Sequence, residues 1–309
     1  MRNLVTGGAG FLGSHLCDQL LARGDHVTCV DNLSTGDVKN IDHLFGNSDF
    51  EFIEHDIRQP MDIKVDRIYN LASPASPPAY QADPIGTLKT NVIGALNMLE
   101  LALANGARIL QASTSEVYGD PEVSPQSEEY WGHVNPIGIR SCYDEGKRAA
   151  ETLFFDYARV RGVEIKVVRI FNTYGPRMSP TDGRVISNFL TQSINGYPLT
   201  IYGNGSQTRS FCYVDDLISG IVLAMDSPKE FVGPVNLGNS DEFTIIQLVD
   251  MIRSHFGTKL DLCFLDLPGD DPKRRCPDLS VAEKALGWKA KVQLIDGIAR
   301  TAQYFESIL

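Results

Sequence analysis

Apolar residues in the first half of the chain alternate between short continuous runs and longer stretches with helical spacing. The runs predict strands at residues 3–6, 26–31, 50–56, 67–72, 108–113 and 164–171. The stretches predict helices at residues 10–22, 84–105 and 143–161. Because buried strands that alternate with helices of this length form parallel sheets, we expect an α/β fold with a doubly wound parallel sheet.

After about residue 172 the pattern changes, and loops, a short strand at 199–202 and helices at 214–225 and 244–256 are interleaved. We expect residues 1–172 to form the sheet domain. Residues 173–309 would form mainly a smaller C-terminal α/β substrate-binding portion, with some segments returning to the sheet domain. No low-complexity linker separates the two parts, so we expect them to share a cleft.

Composition narrows the function classes. The formal net charge of −11 disfavours nucleic-acid and membrane-surface partners, because an acidic surface repels both. The six cysteines show no CxxC and no paired histidine spacing, which argues against a zinc site and a disulfide framework. No apolar run reaches the roughly 18 residues of a membrane helix, so we expect a reducing, cytoplasmic setting.

A glycine-rich turn, Gly7-Gly8-Ala9-Gly10-Phe11-Leu12-Gly13, lies between the first strand and the first helix. Its spacing is a variant of the dinucleotide fingerprint of Rossmann-type sheets, in which a pyrophosphate approaches the helix N-terminus. Asp31 closes the second strand 18 residues later. A carboxylate there accepts from ribose hydroxyls and repels a 2′-phosphate, so the sequence favours NAD over NADP. Asp56 is a candidate for the adenine amino group, although a turn carboxylate fits as well.

Tyr143 and Lys147 lie four residues apart on one face of a predicted helix. A phenol with a pKa near 10 is a poor base at neutral pH, but a neighbouring ammonium favours the phenolate. Tyr143 could therefore remove a hydroxyl proton while a hydride leaves the same carbon. Ser113-Thr114-Ser115 ends an intervening strand, which makes a chance Y-x-x-x-K match improbable.

Together these motifs resemble the extended short-chain dehydrogenases/reductases that act on nucleotide sugars, and the resemblance covers essentially the whole chain. Within them, the chain is most similar to the UDP-glucuronate decarboxylases (UDP-xylose synthases). The segments that carry this resemblance are residues 73–78, 88–91, 113–120, 131–136 and 205–209. The resemblance implies an NAD cofactor and a homodimer. Helices 84–105 and 143–161 would form its interface, although their apolar stripes fit an intramolecular core equally well.

The resemblance also implies three sets of site residues. The catalytic set is Tyr143, Lys147, Thr114, Ser115 and Glu116. The cofactor set is Gly7, Gly10, Phe11, Leu12, Gly13, Asp31, Asn32, Thr35, Gly36, Asp56, Ile57, Leu71, Ser73, Thr90, Tyr143, Lys147, Thr173 and Arg184. The substrate set is Lys89, Asn97, Glu116, Asn172, Tyr202, Arg209 and Arg275. Arginine suits bidentate capture of phosphate or carboxylate, but each arginine read alone also fits a surface position.

The residues after Thr114 bear on which reaction follows the oxidation of the sugar at C4. The 4,6-dehydratases of the family carry Asp-Glu there, whereas this chain has Ser115-Glu116, and Glu116 argues mildly against 4-epimerisation. Decarboxylation needs little beyond the oxidation, because a 4-keto-hexuronate is a β-keto acid. Glu116, or a water held by Ser115, would protonate C5, while an orienting hydrogen bond is the simpler role for Glu116.

The alternatives are an epimerase or dehydratase on the same scaffold and a non-catalytic NAD sensor. Such sensors often lose the tyrosine or the lysine, and both are present here. The sequence therefore predicts an enzyme that converts UDP-glucuronate to UDP-xylose and carbon dioxide, with no metal.

Overall fold

The computed structural model describes residues 1–257, 260–266 and 274–309. Its strands are β1 (Arg2–Thr6), β2 (His26–Asp31), β3 (Phe50–Glu54), β4 (Arg67–Asn70), β5 (Arg108–Thr114), β6 (Ile165–Ile170), β7 (Thr173–Tyr174), β8 (Leu199–Tyr202), β9 (Thr208–Ser210), β10 (Cys212–Tyr213), β11 (Val235–Leu237), β12 (Glu242–Thr244) and β13 (Leu262–Leu265). Its helices are α1 (Phe11–Ala22), α2 (Pro77–Ala82), α3 (Pro84–Lys89), α4 (Ala95–Asn105), α5 (Ser141–Arg161), α6 (Val185–Ile194), α7 (Val214–Asp226), α8 (Ile245–Phe256), α9 (Ser280–Leu286) and α10 (Leu294–Ile308).

Seven strands form one parallel sheet in the order β11-β6-β5-β4-β1-β2-β3. The chain runs outward from β1 to β3 on one side and from β4 to β6 on the other. The strand order therefore reverses between β1 and β4, and ligands of such sheets bind outside the carboxyl ends of the strands at this point. The prediction of a doubly wound parallel sheet is confirmed.

Most predicted elements of the first half agree closely with the structure, and β2 has the predicted bounds. The predicted helix at 84–105 is interrupted, because a π-helical turn at Thr90–Gly94 separates α3 from α4. The pattern missed β11, which pairs with β6 and completes the sheet. A three-residue strand is too short to show a period of two, so no local signal marked it.

Apolar side chains pack on both faces of the sheet. One core cluster contains Leu16 of α1 and Leu217 of α7, and it continues to Phe305 of α10. The other contains Leu99 of α4 and Phe154 of α5. Helices therefore cover both faces, as an all-parallel sheet requires. The C-terminal elements share the first cluster with β1, so the division near residue 172 stays a prediction.

None of the helices in the described ranges is long and apolar enough to cross a membrane. Across those same ranges, no group of three or more His, Cys, Asp or Glu side chains is placed to hold a metal ion. All six cysteines are free thiols.

Candidate active site

A cleft of about 1450 Å³ opens at the carboxyl ends of the central strands. Most of the residues that the sequence predicted for the site line it. They are Gly7, Gly10, Phe11, Leu12, Gly13, Asp31, Asn32, Thr35, Gly36, Asp56, Ile57, Leu71, Ser73, Thr90, Thr114, Ser115, Glu116, Tyr143, Lys147, Asn172, Thr173, Arg184, Tyr202, Arg209 and Arg275. Parallel strands bring these distant segments together because their ends meet at one edge of the sheet.

The glycine-rich turn is built so tightly that side chains would not fit. Gly7 has a φ of 67°, in the left-handed region. A Cβ on Gly13 would lie 2.1 Å from the Gly7 carbonyl oxygen. Gly10 precedes α1 and offers no side-chain cap, so the first backbone N–H groups of the helix remain available for a ligand. This cradle fits a pyrophosphate, which needs close backbone approach and donors at a helix N-terminus.

Asp31 stands beside this cradle, at the end of β2. Its carboxylate accepts hydrogen bonds from the backbone N–H of Ala9 at 3.1 Å and of Leu33 at 2.9 Å. Burial raises the pKa of Asp31, and these backbone donors oppose that effect. A Cβ on Gly36 would come within 2.8 Å of the carboxylate. The group is thus fixed at the edge of the cleft, where a ribose hydroxyl of a dinucleotide would meet it.

Asp56 lies further along the same edge. Its carboxylate is paired with the Arg58 guanidinium, with 2.5 Å between Oδ2 and Nη2, and Asn32 donates to it at 3.3 Å. The Arg58 hydrogen bond lowers the pKa of Asp56 to about 2. Asp56 is therefore an ionised acceptor, as contact with an adenine amino group requires.

Tyr143 and Lys147 project from α5 towards the end of β5. The Lys147 ammonium donates to the Ala112 carbonyl at 2.9 Å and lies 5.7 Å from the centre of the Tyr143 ring. Burial raises the pKa of Tyr143 to about 12, and the Thr114 side chain, which hydrogen-bonds to the phenol, opposes the rise. Burial lowers the pKa of Lys147 to about 7. The phenol and the amine thus share a buried site, which disfavours the charged form of each.

Glu116 follows Thr114 and is locked between two arginines. Its two carboxylate oxygens accept from Arg275 at 2.5 and 2.7 Å, and Arg140 approaches one of them at 2.7 Å. Burial alone would raise the pKa of Glu116, but the positive charges of Arg275 and Arg140 outweigh it and lower the pKa to about 2. A carboxyl group with this pKa holds no proton to deliver at neutral pH, so the surroundings of Glu116 disfavour the proton-delivery role.

The remaining predicted residues make local contacts at the wall of the cleft. The hydroxyls of Thr90 and Thr173 donate to the carbonyls of Gly86 and Phe171, at 2.9 and 2.8 Å. The Arg184 guanidinium pairs with Asp182 at 2.6 Å. Ser115 is buried, and Tyr202 is partly exposed at the rim. Arg275 lies among the described residues, whereas residues 267–273, which come shortly before it in the chain, lie outside them.

Two predicted substrate residues, Lys89 and Asn97, do not line this cleft. Lys89 is exposed at the end of α3. The Asn97 side chain donates to the Ile57 carbonyl at 2.8 Å and so ties α4 to the loop after β3. Asn97 thus contacts the protein scaffold, and the Ile57 segment to which it is hydrogen-bonded lines the cleft.

Sequence reasoning missed two residues of the cleft, Arg140 and Tyr80. Arg140 contacts Glu116, and the Tyr80 ring stacks on the Tyr143 ring with 5.2 Å between centres and 7° between planes. Tyr80 is 1% exposed, and its hydroxyl has no hydrogen-bond partner among the residues that the structure describes. Arg140 stands three residues before Tyr143, which was a usable signal, whereas nothing local in the proline-rich segment marked Tyr80.

Comparison with known proteins agrees with this geometry. Residues 3–238 match the model of the NAD-dependent epimerase/dehydratase family. The chain is 56% identical over 308 residues to UDP-glucuronic acid decarboxylase 1 of Xenopus tropicalis, covering 100% of this chain and 73% of the relative. It is 53% identical over 307 residues to UDP-glucuronic acid decarboxylase 1 of Arabidopsis thaliana, covering 99% of this chain and 70% of the relative.

A solved structure, that of UDP-glucuronic acid 4-epimerase from Bacillus cereus in complex with UDP-glucuronic acid and NAD, superposes with a TM-score of 0.91. The two sequences are 30% identical, and the alignment covers 100% of both chains. The fold, the glycine-rich cradle, the Tyr143–Lys147 pair and the sequence matches all indicate the same family. The chain belongs to the NAD-dependent epimerase/dehydratase family.

Proposed function

We propose that this chain is an enzyme that decarboxylates UDP-glucuronate to UDP-xylose and carbon dioxide with NAD as its cofactor. The observation that carries the proposal is the meeting of the Tyr143–Lys147 pair with the Glu116–Arg275 ion pair in one cleft. The relatives above 50% identity, which bear the name UDP-glucuronic acid decarboxylase, support the same substrate and reaction.

The first chemical task of the chain is to remove a proton from the C4 hydroxyl of the sugar. The glycine-rich cradle and Asp31 would hold NAD, which would supply a hydride acceptor for C4 and a hydride donor to the same carbon at the end of the cycle. Tyr143 accepts the hydroxyl proton, and the charged form of Lys147 favours the phenolate that does so. Burial of both side chains keeps water from this proton transfer.

The second task is to let the β-keto acid lose carbon dioxide. The bond between C5 and C6 breaks, and its electron pair moves to the C4 oxygen as an enolate. Donors already placed at that oxygen stabilise the developing charge without reorganisation. Tyr143, protonated after the first step, and the Thr114 hydroxyl are the donors at this end of β5.

The third task is to protonate C5. Glu116 stays ionised between Arg275 and Arg140, so we assign this proton to a water held by the Ser115 hydroxyl. Glu116 then acts by fixing Arg275 in the cleft. Ser115 is 3% exposed and lies on the lining of the cleft.

Positive side chains at the cleft match the anionic substrate, although the chain has a net charge of −11. Arg209 and Arg275 stand on the side of the C-terminal elements, where we place the diphosphate and the carboxylate. Asn172 would contact the diphosphate or the sugar, and Tyr202 would contact the uracil. Lys89 and Asn97 lie outside this cleft, and we assign them no role in this site.

The test is to incubate the purified chain with NAD and UDP-glucuronate and to measure carbon dioxide release and the UDP-sugar product. We expect carbon dioxide and a UDP-pentose in equal amounts, with no net NADH. Ser115→Ala tests the assigned C5 proton source, because it removes the hydroxyl that would hold the water and leaves the Glu116–Arg275 ion pair intact, and we expect slower formation of the UDP-pentose. Turnover of UDP-glucose or UDP-galactose without release of carbon dioxide would reject decarboxylation in favour of epimerisation.

Three further expectations belong to this proposal. A homodimer is supported by the apolar side chains Ile85, Leu88, Ile93 and Leu96, which are exposed along α3, α4 and the turn between them. A reducing, cytoplasmic setting is supported by the six free thiols. The division near residue 172 is supported by the cleft, which has sheet-domain residues on one wall and residues after 172 on the other.

A further inference from the structure

The segment between β7 and α6 borders the cleft, and the proposed reaction assigns it no task. This segment, residues 175–183, is named the strap, and all of it after its first two residues lines the cleft. It begins beside the glycine-rich cradle, because a Cβ on Gly175 would lie 3.7 Å from the Phe11 ring. It ends against α2, because a Cβ on Gly183 would lie 2.9 Å from Cγ of Pro78. The strap therefore runs along the cleft from the pyrophosphate cradle to the proline-rich segment.

One face of α1 holds the start of the strap. Phe11, His15 and Asp18 follow one another at spacings of four and three residues, so they share that face of the helix. The His15 ring donates from Nε2 to the Pro176 carbonyl at 2.9 Å, since a carbonyl oxygen can only accept. The Asp18 carboxylate pairs with the Arg177 guanidinium, with 2.7 Å between Oδ2 and Nη1. The helix whose N-terminus forms the cradle therefore also holds the strap.

The backbone of Arg177 is strained and depends on such contacts. Its φ is 64°, in the left-handed region that a residue with a Cβ rarely adopts. A conformation of this kind persists only where the surrounding structure holds it. Without the Asp18 carboxylate, Arg177 could relax to an ordinary φ, and the start of the strap would then move away from α1.

We propose that Asp18 is a positioning residue that keeps the strap closed over the dinucleotide, an inference that rests on the proposed function only for the need to retain the dinucleotide. The hydride taken from C4 is returned to C4, so the dinucleotide must stay bound between the two transfers. Asp18 does not line the cleft, so it acts through Arg177 rather than on a ligand.

Opening of the strap in the middle of the cycle has a defined chemical result. The electron pair of the C4–H bond would leave with the dinucleotide, after C5 has exchanged its carboxylate for a proton. UDP-glucuronate and NAD⁺ would then yield a UDP-4-keto-pentose, carbon dioxide and NADH in equal amounts. A closed strap prevents this loss by holding the reduced dinucleotide until the second transfer.

The decisive experiment measures how fast the dinucleotide enters and leaves the protein when no sugar is present. Protein loaded with NADH is mixed with excess NAD, and the loss of bound-NADH fluorescence gives the dissociation rate constant. Stopped-flow mixing of NADH with the free protein gives the association rate constant. In Asp18→Asn we expect both rate constants to rise by roughly threefold to fivefold, because a partly exposed ion pair contributes up to about that factor. The Kd for NADH should change less than either rate constant, and Asp18→Glu should restore slow exchange.

Two matched controls separate the strap from the rest of α1. His43→Gln removes the other partner of Asp18, which lies 2.7 Å from Oδ1, and leaves the Arg177 pair in place. Asp215→Asn removes a carboxylate that lines the same small depression as Asp18 but pairs with Arg300. Both variants should keep the rate constants of the unsubstituted protein. Arg177→Gln breaks the same ion pair from its other side and carries the test if Asp18→Asn does not fold.

Three results overturn the proposal. The first is unchanged rate constants in a folded variant that lacks the Asp18–Arg177 pair. The second is a rise in the dissociation rate constant alone, with a matching rise in Kd, because this indicates a damaged cradle and a merely structural role. The third is an effect of Asp18→Asn that persists undiminished in the Arg177→Gln background, because Asp18 would then not act through Arg177.

Turnover of UDP-glucuronate provides a second readout. We expect no net NADH from the unsubstituted protein or from Asp215→Asn, whereas Asp18→Asn should accumulate NADH and a UDP-4-keto-pentose in equal amounts. Faster exchange without any accumulation of NADH would mean that the strap does not retain the dinucleotide during the cycle, and it overturns the proposal. A chain that releases no carbon dioxide but shows faster exchange in Asp18→Asn rejects the proposed function and leaves the role of Asp18 standing.

Discussion

The ion pair between Glu116 and Arg275 gives a quantitative test of the site, through the substitution Glu116→Gln. The amide keeps the shape of the carboxyl group but removes its charge. Arg275 and Arg140 then lose the negative charge that pairs with both of them in this buried site. Breaking a buried ion pair by removing one partner costs roughly 3–5 kcal/mol. Against the effect of burial, the positive charges of Arg275 and Arg140 lower the pKa of Glu116 to about 2, so the carboxylate is ionised and the ion pair is intact at neutral pH.

The sign of the pH dependence follows from the same pKa. The folded-state pKa of Glu116 lies below its unfolded value, so the stabilisation is complete above about pH 4.5 and is lost as the pH falls towards 2. The stability difference between the unsubstituted protein and Glu116→Gln should therefore be largest at pH 5–7 and should shrink by pH 3. Other carboxyl groups titrate in both proteins, and their effects cancel in the difference.

The assay is denaturant unfolding at pH 7, 5 and 3, supported by the melting temperature. A loss of this size should lower the Tm by roughly 5–8 °C in a chain of 309 residues. Glu122→Gln is the control, because Glu122 stands on an exposed loop close after Glu116 in the sequence, and it should change neither quantity. A difference below about 1 kcal/mol at pH 7, or one that stays constant down to pH 3, refutes this account of the ion pair.

Three further predictions concern the cleft. Tyr143→Phe should lower kcat by about 10²-fold or more while NAD still binds, and unchanged turnover would refute its role as the base. Gly13→Ala places a Cβ 2.1 Å from the Gly7 carbonyl oxygen, so calorimetry should show loss of NAD binding, and retained affinity would contradict the cradle. Asp31→Asn removes the charge that repels a 2′-phosphate, so the ratio of the Kd for NADP to that for NAD should fall; a constant ratio would count against the role of Asp31.

The sequence predicted much of the fold, because the bounds of β2 and the spacing of the glycine-rich turn depend on residues that are close together in the chain. Gly10 and Gly13 both approach the Gly7 carbonyl within the turn, so their spacing predicts the cradle, whereas Gly7 and Gly8 lie against Ala72 and Cys29 from distant segments. The same holds for Tyr143 and Lys147, which share a helix face by their spacing of four. Asn97 shows the limit: the family resemblance implied a substrate contact, but its side-chain amide donates to the Ile57 carbonyl.

What the sequence determined by itself was therefore the alternation of strands and helices in the first half, the dinucleotide turn and the catalytic pair, because each depends on periodicity or on the spacing of near neighbours. Only the tertiary structure decided which charges meet. Arg275 reaches Glu116 across 159 residues of chain, and Ser113 and Arg169 converge on Glu151 through the register of two strands. Contacts of this kind are set by how the elements pack, and packing leaves no period in the sequence from which they could be inferred.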